Sequence, residues 1–501
     1  MSVEKELKLR IAPEHLNRLK RHPLLKSLSI TRATTRRLHN IYYDTPDLDL
    51  HRRAMALRLR RIGRQWLQTL KGGGEVQAGL HQRNEWETPV AGEALDFKAL
   101  EASGSKRLPS TVRKKLRALF VTDFSRTSRM LAFEGAEIEL SMDSGEIRAG
   151  RSSRSISELE LELKSGEPLQ LFRLALALLD IVPLEVEPVS KAEYGYRLYA
   201  KTKPAIAKAH ELDLTKCPDV TTALQSMIWS CLLHLQANVP GAVQKLDDEY
   251  LHQVRVALRR LRVVLDMVKT FRDDDAELAA LLKDVAALCV ELGRSREWDV
   301  FVTQTLAPVR AHLPEQRGLG DVLRASKQLR EHHHARAQEA LQAQGFQRLL
   351  LRFGAWMNGS YWREQPTGKE LSLPEYAAQI LRRYGKQVMK RGKQLAAADA
   401  SQLHALRIAC KKLRYSMGLF SSLYAGARIK RYLSVLTTLQ NILGTLNDIT
   451  VARRLLDELD TGARHEMIAI IRGWIEHDFS DHMDELHKAW ERFPGHEVFR
   501  K

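Results

Sequence analysis

Two spacings of apolar residues divide the chain. Up to about Lys203 polar and apolar positions mostly alternate, and beyond about Leu214 apolar residues recur every three or four positions. Alternation sends successive side chains to opposite faces of a strand, whereas the longer spacing gathers one stripe along a helix. The first stretch predicts a sheet and the second predicts long amphipathic helices. Residues 201–208 (KTKPAIAK) read as a linker between them. Domains are therefore expected over 1–204 and 205–501. Within the first, residues 95–102, 110–119 and 169–179 show helical spacing and predict short helices that cover the sheet.

The alternating segments carry charge on one face. Glu4, Glu6, Lys8 and Arg10 alternate with Lys5, Leu7, Leu9 and Ile11, and Arg58 and Arg60 with Leu57 and Leu59. Glu85 and Glu87 flank Trp86, while Glu137, Glu139 and Asp143 interleave with Ile138, Leu140 and Met142. Glu158, Glu160, Glu162 and Lys164 interleave with Leu159, Leu161 and Leu163. One wet face is ordinary for an antiparallel sheet. Like charges side by side on several strands repel, so their repetition calls for counter-charges or a metal between strands. A closed sheet supplies this, with charged faces lining a shared lumen and apolar faces outward under helices. The expected fold is an α+β N-terminal domain, a closed antiparallel β-tunnel of about eight strands with covering helices. An all-α domain, a duplicated helical bundle, follows it.

Composition narrows the partners. The 501 residues exceed one ordinary core and are 44% apolar and 28% charged, as in folded proteins. Lys and Arg total 79 against 61 acids, a net charge of +18, which favours polyanions. Cys217, Cys231, Cys289 and Cys410 lack the close spacing of a zinc or redox motif and read as free thiols of a reducing compartment. The charged N-terminus has no apolar signal core, and residues 171–186, the most apolar stretch, are broken by Arg173, Asp180 and Pro183. A cytoplasmic chain without membrane contact is expected.

Paired carboxylates are hard ligands suited to Mg²⁺ or Mn²⁺. Arg and Lys in the same lumen donate to phosphate oxygens. Together they describe a site for a polyphosphate and a metal. Lys71 and the three glycines after it lack the spacing of a phosphate-binding glycine loop and read as a turn. At these residues the sequence resembles the CYTH superfamily, the triphosphate tunnel metalloenzymes. Glu4, Glu6 and Lys8 form its ExExK pattern. Residues 42–46 (YYDTP), 56–60 (ALRLR), Lys71, Glu85 with Glu87, Glu137 with Glu139, Asp143, residues 158–164 (ELELELK) and Ser190–Lys191 follow in order. The resemblance implies that Glu4, Glu6, Glu160 and Glu162, with Asp143, hold metal ions and position water. It implies that Lys8, Arg58, Arg60, Lys71, Arg126 and Lys191 bind phosphate oxygens, and that Glu85 and Glu87 complete the catalytic lumen. Around Arg126 the register is open, because Arg129 is close. Tyr194 stands where the family often has arginine.

The helical half repeats itself, the feature to seek first in such a segment. Residues 251–262 (LHQVRVALRRLR) parallel 403–414 (LHALRIACKKLR), and 292–299 (LGRSREWD) parallel 443–450 (LGTLNDIT). His252, Arg255, Arg259 and Arg262 share one helix face, as do His404, Arg407, Lys411 and Arg414. Such clustered bases repel unless an anion neutralises them. This half resembles the CHAD domain, which implies a basic surface for inorganic polyphosphate, with both histidines as donors. Trp229, Trp356, Trp362, Trp474 and Trp490 are expected in cores and not as stacking platforms for bases.

The leading reading is an inorganic triphosphatase with a fused polyphosphate-binding module, whose partners are inorganic triphosphate and long-chain polyphosphate. Another triphosphate in the same tunnel (thiamine triphosphate, a nucleoside triphosphate, or ATP undergoing cyclisation) is the alternative enzyme. A binding protein without turnover is the alternative from another class. Nucleic acid is not expected as a partner.

Overall fold

The computed structural model describes residues 2–77, 79–105, 107–272, 275–363, 371–393, 395, 398–424 and 426–493. The alternating stretch folds into β1 (Ser2–Ile11), β2 (Thr34–Asp44), β3 (Met55–Ile62), β4 (Gln65–Gln77) and β5 (Leu80–Val90). It continues as β6 (Arg117–Phe133), β7 (Ala136–Ala149), β8 (Ser152–Ser165) and β9 (Leu184–Val186). The order is β5-β4-β3-β2-β6-β7-β8-β1-β9, and an added β5–β1 pairing closes the first eight strands into a ring. β1 closes it by pairing antiparallel with β5 at one end and with the short β9 at the other, while β8 lines its other edge. The curled antiparallel sheet is thus a tunnel, with Leu7, Leu9, Leu159 and Leu161 fully buried on its outer face.

The helices are α1 (Pro13–Arg21), α2 (Pro23–Leu28), α3 (Phe97–Ala102), α4 (Ser110–Arg113), α5 (Pro168–Leu179), α6 (Lys191–Ala200), α7 (Val220–Val243) and α8 (Asp248–Phe271). They continue as α9 (Ala276–Val300), α10 (Ala307–His312), α11 (Leu319–Gln342), α12 (Gln344–Met357), α13 (Leu373–Gly392), α14 (Ala400–Leu419), α15 (Ala427–Leu459) and α16 (His465–Glu491). The α5 helix begins at a capping box between Glu167 and Gln170 and buries Leu171, Phe172, Leu174, Ala175 and Leu178. Two local expectations change. The helix expected over 110–119 stops at Arg113, because the following residues join β6 and pair with β2. The glycines after Lys71 are a bulge inside β4 and not a turn. The register against β5 shifts between Gly72 and Glu75, and Gly73 takes φ +65°, a conformation suited to glycine.

Two compact units result, 1–206 with 342–365 and 207–341 with 366–501. The first unit takes α12 from deep within the helical stretch of sequence. Gly354 of α12 meets Phe172 of α5 so closely that a Cβ there would fall 2.1 Å from the ring. Gln347 Oε1 accepts from the Val186 amide of β9 at 2.9 Å, and Arg348 reaches Asp180 at 2.6 Å. An apolar helix period shows that α12 is amphipathic, but not which apolar face it will cover.

In the second unit, both repeated segments lie on corresponding helices. Residues 251–262 fall within α8 and 403–414 within α14, and 292–299 fall within α9 and 443–450 within α15. Trp298, Phe301, Leu455, Ile468 and Ile471 belong to one buried core of this unit. Among the described residues, no helix is long and apolar enough to cross a membrane.

Candidate active site

Strand register sets the lumen's charges in rows. Glu6 faces Glu162 across β1 and β8, and Glu162 faces Glu139 across β8 and β7, so three carboxylates stand abreast. Such neighbours repel without a counter-charge. Lys164 supplies part of it, 2.5 Å from Glu162 Oε1 and 3.1 Å from Glu139 Oε2. Even so, burial, with Glu4 and Glu139 nearby, holds the Glu162 carboxyl above its usual range against the pull of Lys164.

The next rows centre on Glu160, which faces Lys8. Glu160 Oε1 accepts from Lys8 Nζ and from Lys191 Nζ, each at 2.9 Å, and the carboxylate also binds Arg126. Burial opposes this charge, but Arg126, Lys191 and Lys8 outweigh it and hold the carboxyl well below its usual range. The Arg126 fork grips the fully buried Asp143 at 2.7 and 2.6 Å. Lys191 opens α6, where Ser190 Oγ accepts from the Glu193 amide at 3.2 Å and caps the helix. Its ammonium reaches Asp143 at 2.7 Å and also binds Glu158.

Asp143, Glu158 and Glu160 offer carboxylate oxygens that all lie within 4.8 Å of one another. Such crowding suits a hard divalent cation. In the protein alone the positive charge comes from Lys191 and Arg126. Burial pushes Glu158 up to about 7, with Glu160 and Asp143 adding to it against Lys191 and Lys8. A raised carboxyl binds its proton more tightly in the folded state, so its stabilising contribution is complete below about pH 4.5 and fades as pH rises through about 7. Glu158→Gln, which mimics the protonated form, is expected to gain thermal stability relative to the parent as pH rises from 5 to 8, read from paired melting curves. A gap between the two that stays constant with pH would refute the assignment.

The opposite wall is built by β2 to β5. Lys71 bridges Glu4 Oε2 at 2.6 Å and Glu85 Oε2 at 3.1 Å, and Arg58 reaches Glu85 Oε1 at 3.2 Å. Glu87 accepts from Thr69 Oγ1 at 3.0 Å. Arg60 differs: its Nε donates to Asn40 Oδ1 at 2.8 Å, and it makes no ion pair with the described residues. Burial, with Arg58 and Arg126 close by, lowers it to about 10. Burial alone would raise the Tyr42 phenol, but Arg58 and Arg60 outweigh it and hold it below its usual range. The shared space is a cavity of about 690 Å³.

A second cavity, of about 1030 Å³, lies within the helical unit. His252, Arg255, Arg259 and Arg262 of α8 line it together with His404, Arg407 and Lys411 of α14. Burial, and then Arg259, lowers Arg255 to about 10, and burial lowers Arg407 in spite of Asp448. His404 Nδ1 lies 2.8 Å from Asn447 Oδ1.

The model described as CYTH domain matches residues 2–196, and the model described as CHAD domain matches residues 226–457. The chain carries a CYTH domain and a CHAD domain. The inorganic triphosphatase of Haemophilus influenzae is 36% identical over 204 residues, 40% of this chain and 56% of that protein. This chain therefore spans little more than half of that relative. The CHAD domain of the plant Ricinus communis is 29% identical, with a TM-score of 0.50 over 58% of this chain and 97% of that one. A putative adenylyl cyclase from Hippeastrum with a dominant triphosphatase activity is 19% identical over 40% of this chain and 97% of its own, with a TM-score of 0.29.

The CYTH lumen brings together Glu4, Glu6, Lys8, Arg58, Arg60, Lys71, Glu85, Glu87, Arg126, Glu160, Glu162 and Lys191. Asp143 lies behind Arg126, fully buried. Of the residues expected to hold metal, Asp143 and Glu160 share the tight carboxylate group with Glu158, while Glu4, Glu6 and Glu162 stand outside it. At the open register, Arg126 points into the lumen, whereas Arg129 turns toward Ser29 and the Lys20 carbonyl. The Tyr194 hydroxyl donates to Glu187 at 2.9 Å under the Arg154 guanidinium. Arg36, Asn40 and Tyr42 also line the lumen, though β2 mixes Leu38 into its inward face and so hides the charged alternation. In the CHAD cavity Arg414 is absent from the lining and stacks toward Tyr415 instead, while Arg294, Arg296 and Arg454 join it from α9 and α15. Their signal was the second repeated segment, which carries two of these arginines beside its LG pair.

Proposed function

We propose that the tunnel hydrolyses inorganic triphosphate to pyrophosphate and phosphate, and that the basic helical cavity holds long-chain polyphosphate. The observation that carries the first reading is the interleaving of acids and bases within one buried lumen. Each guest would take over half of these ion pairs: the triphosphate displaces carboxylates from Lys8, Arg58, Lys71, Arg126 and Lys191, and a divalent cation accepts the carboxylates so released. Either guest alone would strand buried charge, at a cost on the order of several kcal/mol per ion; the two together restore neutrality.

Mg²⁺ or Mn²⁺ fits the donor set, with Glu4, Glu6 and Glu162 alongside Asp143 and Glu160 as its holders; bound there, the ion supplies Lewis-acid polarisation and neutralises phosphate charge. The chain's own residues do the rest. Arg58, Arg60 and Lys71 on one wall, and Lys8, Arg126 and Lys191 on the other, grip phosphate oxygens and stabilise the charge that grows on the leaving pyrophosphate. Glu162, made more basic by burial and by Glu4 and Glu139, orients the attacking water.

The intact chain with Mg²⁺ is expected to release phosphate from tripolyphosphate faster, in kcat/KM, than from ATP or thiamine triphosphate. A higher kcat/KM for ATP would reverse the ranking.

For the helical unit, the facing stripes on α8 and α14 support the polyphosphate reading. Removing two bases with Arg255→Ala and Arg407→Ala is expected to weaken retention of long-chain polyphosphate by about two to four orders of magnitude, at roughly 1.5–3 kcal/mol per charged hydrogen bond. Tripolyphosphate hydrolysis should be unchanged in that variant. Retention at the parent level would sink this reading and leave the tunnel's activity untouched.

A further inference from the structure

Lys411 stands apart from the other bases of the second cavity. It takes, in α14, the place of Arg259 in α8 when LHALRIACKKLR is laid on LHQVRVALRRLR. Arg259 donates Nε to the Arg255 carbonyl at 3.2 Å. Lys411 makes no ion pair or side-chain hydrogen bond with the described residues. Arg407 of its own helix and Arg255 and Arg259 of α8 face it, with Asp448 of α15 as the opposing carboxylate. The α9 helix brings Arg294, Arg296 and Glu297 to the same cavity.

At this position and the next the second repeat has lysine where the first has arginine; Lys412 is paired with Asp266 at 3.0 Å, whereas Lys411 is not paired among the described residues. An arginine stays charged among like charges, whereas a lysine can shed its proton and relieve the repulsion. Burial, and then Arg407 and Arg259, lower the ammonium to about 6 against the pull of Asp448. The result is a neutral amine at neutral pH, on the wall of a cavity whose arginines stay charged. A desolvated lysine beside cations is an activated nucleophile.

We propose that Lys411 is a nucleophilic amine acylated by small acyl phosphates, whose phosphate end is held by Arg255, Arg259 and Arg407. The Nζ lone pair attacks the carbonyl carbon. The bond from that carbon to the bridging oxygen breaks, inorganic phosphate leaves with the electron pair, and the proton lost from nitrogen passes to the phosphate. The product is an amide. It can no longer take up a proton when a polyanion arrives, so acylation weakens the cavity's hold on polyphosphate. The inference rests on the anion-binding reading of this cavity and adds a chemical modification to it.

The test treats the intact chain with acetyl phosphate and measures acetylation of each lysine by quantitative peptide mass spectrometry. At pH 7.5, Lys411 is expected to react at least tenfold faster than the median lysine. Its rate should level off above about pH 7, while surface lysines keep gaining toward pH 9. Long-chain polyphosphate should protect it, and Lys411→Arg should remove the fast site. A Lys411 that reacts no faster than the median, or whose rate climbs in parallel with the others to pH 9, overturns the proposal. Polyphosphate retention by the untreated chain is measured alongside: retention with a slow Lys411 refutes only the acylation, and absence of retention refutes the anion-binding reading as well.

Discussion

Replacing Glu4 and Glu6 together by glutamine is expected to lower phosphate release from tripolyphosphate by about 10³-fold, in line with losing charge that is organised for the transition state. The fold should survive. Glutamine keeps the shape, and each cation that loses a partner keeps another: Lys71 retains Glu85 at 3.1 Å, and Lys8 retains Glu160 at 2.9 Å. What disappears is the negative charge that a divalent cation requires. Phosphate release and the melting temperature, measured on one preparation, separate the two effects. Activity within a few-fold of the parent would remove Glu4 and Glu6 from the metal site.

Arg60→Ala is expected to lower kcat/KM for tripolyphosphate by about 10²- to 10³-fold, the usual cost of deleting one preorganised donor. Its effect on stability should have the opposite sign. Arg58 and Lys71 neutralise acids, so their removal strands carboxylates. Arg60 neutralises none among the described residues, and Arg58 and Arg126 repel it. Truncating a buried cation held among like charges relieves strain in the empty lumen. The melting temperature should hold or rise while activity collapses. A protein that is destabilised and keeps its turnover would show that Arg60 serves the fold and not the substrate.

The two substitutions probe opposite halves of one design. Acids and bases in the lumen hold each other in the absence of guests, which keeps the tunnel neutral and folded. Arg60, like Arg36 at the same lumen, makes no ion pair among the described residues and stands ready for an incoming anion. Lys411 plays a comparable part in the second cavity, except that it escapes repulsion by giving up its proton where arginine cannot.

Much of this was legible in the chain itself. Period-two charge on β1, β3, β5, β7 and β8 determined which side chains share a lumen, because a strand leaves no other choice of face. The repeated LHxxR segments determined that two basic stripes exist, and helix geometry put each on one face. Repeated charge on one face called for a closed sheet, but not for β1 meeting β5 to close it, since that pairing is long-range and has no local signal. Nor could the sequence say that α12 would cover α5, that Glu158 would join Asp143 and Glu160, or that Arg414 would turn away while Arg296 came in. Those outcomes depend on which surfaces meet, and on burial that makes one lysine neutral and one glutamate proton-bound near pH 7. Local periodicity assigns a residue to a face; only packing decides what that face confronts and how much water is left to screen its charge.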